Sequence, residues 1–405
     1  MLTANLVEFK KRFFYFITLL LIFYVFTPYI LWFYDGYFLK SVLSSFPVSD
    51  PNQAEYYEEI KNQKYILSVF ESININFVFL LNLVLFIIFF YYFYFLISKE
   101  EIYPKTILFK VSYKDFYLSL QILLIICLII LFKDIIDFIQ YLEPSNTKNL
   151  VDWRSMGYEF FRGRKQTHCV IGSIVAVYLI SKNFYTIPII FLTFLIFLEF
   201  ASLSRFYMLQ VVICLILLCH KKYLKFLIII FLLTVSYRIL LLSELSSFIN
   251  NLVWEPISIW CTEIVKILNA EFKIKNYDIF YNYLIENLKV NFIFFDKFNS
   301  FYIFTEDEFK QFGRYSNFGI IDFVAFPFQH IILIFLTIII NKKIFKNNLE
   351  INKIILIVSV FSMFKILRGS SLYGLSFILK FQLLILFLLF GFYLLKKLKF
   401  FKSSP

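Results

Sequence analysis

Residues Phe184 to Cys219 read FYTIPIIFLTFLIFLEFASLSRFYMLQVVICLILLC, and they decide the fold class. Two apolar runs meet at residues 202–205 (SLSR), which leaves no room for a domain between them. A helix rises about 1.5 Å per residue, so each run is long enough, or nearly so, to cross a hydrocarbon layer of roughly 30 Å. The stretch therefore predicts a membrane hairpin whose tip carries one guanidinium group, that of Arg205.

The composition of the whole chain agrees with a membrane protein. Apolar residues make up 60% of its 405 residues, whereas soluble globular domains contain about 45–50%. The mean hydropathy is +0.75, and apolar runs recur with short polar breaks between them. We therefore expect an all-α polytopic membrane protein. No internal repeat or linker divides the sequence, so a single transmembrane domain is predicted over residues 1–405.

Charge and cysteine usage argue against two kinds of site. A net charge of +12 would suggest a nucleic-acid partner in a soluble protein, but lysines at cytoplasmic helix ends explain it here. We therefore expect no nucleic acid among the partners. The five cysteines lack CxxC and Cys/His spacing, a pattern that predicts neither a disulfide framework nor a metal site.

Lysines set the predicted orientation. Loops rich in Lys and Arg face the cytoplasm, and such residues precede the first apolar run at 10–12 and follow the last run between 396 and 402. About ten transmembrane helices with cytoplasmic N- and C-termini make every Lys-rich loop cytoplasmic. The predicted spans are the two arms of the hairpin and residues 13–33, 74–97, 116–132, 169–181, 226–243, 319–340, 354–367 and 374–395. The span 169–181 is short for a membrane crossing.

Two polar segments are predicted outside the membrane. Residues 133–168 form a basic external loop that contains the first concentration of arginines. Residues 244–318 form a large external loop, in which an amphipathic helix begins near Pro256. Trp254 and Trp260 suit the headgroup layer, so this helix is expected to lie along the outer membrane surface. The alternative is a helix packed inside a small external domain.

Arginines from separate segments are predicted on the outer side, where positive charge is normally sparse. A single arginine at a helix end commonly snorkels to solvent, and Arg238 and Lys365 are interpreted in that way. A group of guanidinium forks instead favours a phosphate ligand, because each fork binds phosphate oxygens bidentately. The group predicts an anionic lipid-linked substrate at the outer leaflet. Its members are Arg154, Arg162, Arg164, Arg205, Arg314 and Arg368.

Three short motifs carry a resemblance to a known family. The "SxSR" hairpin tip at 202–205 is one, and a basic external loop before it, with Arg162 and then Gly172, is the second. The third is Phe318-Gly319-Ile320-Ile321-Asp322, similar to a "DFGxxG" motif with Asn317 in place of the leading Asp and Asp322 in place of the final Gly. In these features the chain resembles O-antigen or capsule repeat-unit polymerases of the Wzy type, a bacterial family related in architecture to O-antigen ligases.

The resemblance implies a glycosyltransferase of the bacterial cytoplasmic (inner) membrane. Such an enzyme moves a growing glycan from its undecaprenyl diphosphate carrier to a new lipid-linked repeat unit, and it uses no metal or cofactor. Its partners would be the carrier-linked glycan, membrane lipids and a chain-length regulator. By matching position, Arg205, and more weakly Arg162 and Arg314, would bind the diphosphate and stabilise its developing charge.

A base that activates the acceptor hydroxyl is also needed. His168 is the best-placed imidazole, at the outer mouth of a span, and neighbouring cations would favour its neutral form. Glu263 and Asp322 are the alternatives. His330 is predicted about a dozen residues into its span, near the membrane midplane, either as a functional group or in a hydrogen-bonded pair with Gln329.

Two other functions remain open on the sequence alone. A lipid-linked oligosaccharide flippase or other transporter would share the substrate and the basic residues, but its charges would line a central cavity. A membrane transpeptidase of the exosortase kind would need an outward Cys with a His base. Cys169 adjoins His168 in the sequence, although a nucleophile is normally presented to a base from another element.

Overall fold

The computed structural model describes residues 2–34, 75–97, 111–142, 167–201, 206–218, 323, 327–345, 348–368 and 371–398. Within these ranges the chain is almost entirely helical. The helices are α1 (Leu2–Leu21), α2 (Thr27–Tyr34), α3 (Ile75–Ile97), α4 (Tyr113–Leu142), α5 (Thr167–Ser181), α6 (Thr186–Ala201), α7 (Phe206–Leu217), α8 (Pro327–Ile339), α9 (Leu349–Arg368) and α10 (Ser371–Lys397), with π-helical segments Ile22–Phe26 and Ile340–Ile344.

Four of the described helical stretches are long and apolar enough to cross a membrane. They are Lys10–Ile30, Asn76–Ile97, Pro327–Ile344 and Ser371–Lys397. Helices α5, α6 and α7 are apolar but shorter. The predicted all-α class with membrane-spanning helices is therefore confirmed in its coarse form, and the chain is membrane-associated. The predicted span 226–243 and the helix at Pro256 lie outside the described residues.

Helix α5 is the central element of the bundle. Every side chain from His168 to Ile180 is buried, and α5 packs against α4, α6, α7 and α9. A helix that is apolar all round is stable only when it is enclosed. Helix α5 is therefore enclosed by protein in the described bundle, although it is short for a membrane span.

A glycine lets α6 approach α5 closely. The ring of Phe191 lies against Gly172, and a Cβ atom at Gly172 would be 2.2 Å from Phe191 Cζ. The residue that contributed to the family resemblance thus has a packing function in this bundle.

Helices α9 and α10 form a tight hairpin. Ser362 Oγ donates a hydrogen bond to the carbonyl oxygen of Gly374, at 2.8 Å. A Cβ atom at Gly374 would lie 2.3 Å from Ile366 Cγ1 and 2.9 Å from the Ser362 carbonyl oxygen. The lack of a side chain at Gly374 therefore sets the distance between the two helices.

One end of the bundle is rich in lysine, and we call it the lysine end. Here Lys182, directly after α5, forms an ion pair with Glu350 in the first turn of α9, and Tyr178 also donates to Glu350. Lys396 near the end of α10 lies 3.8 Å from Asp115 in the first turn of α4. The contacts place the start of α4 and α9 beside the ends of α5 and α10.

The opposite end of the bundle, which we call the histidine end, contains the start of α5, α7, α8 and α10. Asp134 of α4 contacts His168 of α5, and His330 of α8 contacts Ser371, the first residue of α10. Helix α4 continues to Leu142, so residues 133–142 of the predicted external loop are helical. The buried positions Leu131, Ile135 and Phe138 recur at helical spacing, which explains the extension.

Candidate functional site

The centre of the candidate site is a contact between an imidazole and a carboxylate. His168 Nε2 lies 3.1 Å from Asp134 Oδ2, and the two side chains are 8% and 14% exposed. Asp134 was not among the predicted site residues, and the cations expected near His168 in the preceding basic loop lie outside the described residues. A carboxylate in this position fixes the orientation of the ring and stabilises the imidazolium that forms when the histidine accepts a proton.

Cys169 adjoins the same imidazole nitrogen. Its Sγ lies 3.3 Å from His168 Nε2, and the cysteine is fully buried. In a nucleophilic triad the base uses one ring nitrogen for the nucleophile and the other for the carboxylate. Here a single nitrogen faces both the thiol and Asp134, and the thiol has no access to solvent. The geometry does not suit a cysteine transpeptidase.

Glu199 closes the hairpin of α6 and α7. Its Oε1 accepts the backbone N–H of Tyr207 at 2.6 Å, and its Oε2 accepts that of Met208 at 2.9 Å. The carboxylate thus satisfies N–H groups that the first turn of a helix leaves without an internal partner. Glu199 holds together the two helix ends that flank residues 202–205.

Buried polar groups from several helices gather at this end. Cys169 adjoins the His168 imidazole, which faces Asp134, and Glu199 accepts the backbone N–H of Tyr207. These residues come from α4, α5, α6 and α7. Four helices therefore bring buried polar groups to the histidine end.

Lys365 also lies at the histidine end, and its predicted snorkelling is wrong. The residue is only 9% exposed, and its ammonium group lies 4.5 Å from the ring centroid of Tyr373 and 5.0 Å from that of Phe377. The close packing of α9 on α10 holds the side chain against these rings. A cation over aromatic faces gains electrostatic stabilisation from their quadrupoles.

The prediction for His330 is corrected as well. It lies in the first turn of α8, where its Nε2 is 2.7 Å from Ser371 Oγ, and not near the middle of a span. The predicted pair with Gln329 is wrong: the amide atoms of Gln329 have no hydrogen-bond partner among the described residues. Phe323, whose ring centroid is 4.9 Å from that of His330, packs beside it.

Most of the predicted arginine group lies outside the described residues. Arg368 is the last residue of α9, and its side chain is not described. The helix ends that flank the other segments can be located: residues 143–166 connect α4 to α5, and Arg205 directly precedes α7. These flanking ends all belong to the histidine end. The predicted residues outside the described ranges are Arg154, Arg162, Arg164, Arg205, Glu263, Arg314 and Asp322.

Two residues of the site, Glu199 and Asp134, were not predicted, although the sequence carries a signal for both. Glu199 is an acid inside an apolar run, and Asp134 lies just beyond one. An ionisable group in such a position is a candidate functional residue by default, because its burial in a membrane is costly. Among the described residues, no group of three His, Cys, Asp or Glu side chains is placed to hold a metal ion.

The arrangement can perform proton transfer. His168 Nε2 faces the Asp134 carboxylate, which accepts its N–H, so Nδ1 is the ring nitrogen that can accept a proton while Asp134 stabilises the resulting charge.

Comparison with family models, with curated proteins and with solved structures finds no match to this chain.

Proposed function

We propose that this chain polymerises lipid-linked oligosaccharide repeat units at the outer face of a bacterial cytoplasmic membrane. The reaction is a glycosyl transfer: the acceptor hydroxyl attacks the anomeric carbon of the growing glycan, and the bond to its undecaprenyl diphosphate carrier breaks. The acceptor loses a proton, and the diphosphate leaves as an anion. The protein must therefore supply a base and a group of cations.

The proposal rests on a difference between the two ends of the bundle, one of which carries an acid–base pair and the other lysines. The acid–base pair Asp134 and His168 lies at the histidine end, while the lysine end carries Lys182 and Lys396. Lys-rich helix ends favour the cytoplasm, so the histidine end is assigned to the outer face. This orientation supports the ten-span topology with both termini in the cytoplasm.

If the histidine end faces outwards, the segments that contain the arginines would lie on the side of the membrane where the carrier-linked glycan is found. The segments that contain Arg154, Arg205 and Arg368 adjoin helices whose nearby ends lie at the histidine end. Guanidinium groups there would bind the diphosphate and stabilise the charge that it gains as it leaves. His168 is assigned as the base, and Asp134 as its positioning residue.

The experiment that tests the function is the glycan banding pattern of a bacterial strain from which this chain has been deleted. Loss of a polymerase leaves single repeat units on the lipopolysaccharide or in the capsule fraction, because units are still exported and attached. Restoration of the ladder by the wild-type chain would support the proposal. Cytoplasmic accumulation of carrier-linked units would instead identify a flippase, and an unchanged ladder would contradict both functions.

A further inference from the structure

We propose that Lys365 forms an anion site that binds a lipid-borne phosphate group at the histidine end. The inference deepens the proposed function and rests on it, since the phosphate would be that of the glycan carrier. The starting observation is a contrast between two buried lysines. Lys182 forms an ion pair with Glu350, whereas no carboxylate pairs with Lys365 among the residues that the structure describes.

The polar contact of Lys365 in the described structure is with a hydroxyl. Its Nζ donates to the Tyr373 hydroxyl oxygen at 3.4 Å, a long hydrogen bond, and otherwise faces the rings of Tyr373 and Phe377. Two carboxylates of the histidine end are committed elsewhere: Asp134 faces His168, and Glu199 accepts two backbone N–H groups. Aromatic faces offset only part of the cost of burying an ammonium group. A bound anion from outside the chain would neutralise the positive charge of Lys365.

The surroundings of Lys365 suit a phosphate in particular. Tyr373 is in the first turn of α10, a helix of 27 residues, and such a turn presents N–H groups and a partial positive charge to an anion. The Tyr373 hydroxyl adds a further hydrogen-bonding group.

The site and the acid–base pair lie at the same end of the bundle. Lys365 contacts Tyr373 in the first turn of α10, and Asp134 faces His168 in the first turn of α5, and both turns belong to the histidine end. A phosphate held at Lys365 would thus lie at the same end of the bundle as the proposed base. This is where the leaving diphosphate of a glycosyl transfer must be.

The test uses the full-length protein in nanodiscs of phosphatidylcholine, titrated with undecaprenyl diphosphate. Both the dissociation constant and the melting temperature are measured for the wild type, Lys365→Met and Lys343→Met. The last variant removes an exposed lysine at the lysine end and serves as the control. Lys365→Met should bind the lipid at least tenfold more weakly and should melt at a higher temperature without ligand, because a buried unpaired charge has been removed.

Equal affinity and an equal ligand-induced rise in melting temperature in Lys365→Met and wild type would overturn the inference. Lys365→Gln, which keeps a polar group, provides the same comparison if the methionine variant does not fold. Failure of the wild type itself to bind undecaprenyl diphosphate would count against the proposed function rather than against Lys365 alone.

Two further titrations identify the source of the phosphate. Nanodiscs that contain phosphatidylglycerol test an ordinary anionic headgroup, and inorganic pyrophosphate tests the free anion. A Lys365-dependent rise in melting temperature that is larger with undecaprenyl diphosphate than with either probe supports the carrier as the source of the phosphate. An equal rise in melting temperature with phosphatidylglycerol or with pyrophosphate would overturn that assignment.

Discussion

His168 Nε2 and Asp134 Oδ2 lie 3.1 Å apart, although 33 residues separate them in the chain. Their contact joins the C-terminal part of α4 to the start of α5, the helix around which the described bundle is built. A buried carboxylate beside an imidazole is an arrangement that positions a general base. The proposed glycosyl transfer depends on this pair and on the end of the bundle to which it belongs.

Replacement of His168 by Ala should lower the rate of glycan elongation by about 10²–10⁴, the usual contribution of a general base. Asp134→Asn should act in the same direction with a smaller loss, since the imidazole remains but loses its charged partner. Asp115→Asn, at the lysine end, is the matched control and should leave the rate unchanged. The measurement is the length distribution of the polymer in complemented deletion strains, with membrane levels of each variant checked by immunoblot. Full activity in His168→Ala would show that His168 is not the general base.

Arg205→Lys should abolish long-chain glycan while the protein remains in the membrane. Lysine keeps the positive charge but loses the planar fork that binds two phosphate oxygens. Arg12→Lys provides a control, because Arg12 is near the N-terminus, where it pairs with Glu8. The readout is again the banding pattern in a deletion strain. An unchanged polymer length in Arg205→Lys would count against a role of Arg205 in binding the diphosphate.

Alanine substitutions at three glycines should have different effects on stability. Gly374→Ala would force Cβ against a backbone oxygen and Ile366, and Gly172→Ala would force it into the buried ring of Phe191. Each should cost about 1–3 kcal/mol, with Gly374→Ala the more severe because a backbone atom cannot move aside. At Gly391 nothing lies within 4 Å, so its replacement should be neutral or stabilise by up to about 1 kcal/mol.

The order of these three variants can be read from melting temperatures in detergent. If Gly374→Ala melts at the same temperature as Gly391→Ala, helices α9 and α10 do not approach each other as closely as the structure indicates.

Loss of one partner of the Lys182–Glu350 ion pair should destabilise the bundle more than loss of both. Glu350→Gln leaves the ammonium group of Lys182 buried without its counter-ion, which should cost about 3–5 kcal/mol. The double variant Lys182→Met/Glu350→Met removes both charges and should regain much of this loss. A double-mutant cycle on the free energy of unfolding measures the coupling. Additive effects of the two single changes would show that the two side chains do not interact.

The helical membrane class could be predicted from sequence because hydropathy and loop charge are local signals. The hairpin of Phe184 to Cys219 corresponds to α6 and α7 on either side of residues 202–205. The enclosure of α5 could not be predicted, because a short apolar run has the same pattern whether lipid or protein surrounds it. The extension of α4 to Leu142 was not predicted either, since its last turns are polar on one side and resemble a loop in sequence.

The candidate site was predicted only in part. His168 was identified from its position at the mouth of a span, but the partner that gives it a chemical role, Asp134, comes from another helix. Contacts across helices depend on rotation and register, which single-sequence patterns do not fix. For the same reason the sequence predicted a snorkelling side chain for Lys365, while the packing of α9 on α10 buries it against Tyr373.

The most direct test of the central claim is elongation by the purified protein. The full-length chain is reconstituted in proteoliposomes with undecaprenyl-diphosphate-linked repeat units from its source organism, and the products are separated on a gel. We predict a ladder of glycans that increases by whole repeat units with the wild-type chain, and none with His168→Ala. Absence of a ladder with folded wild-type protein, or an equal ladder with His168→Ala, would contradict the proposed function.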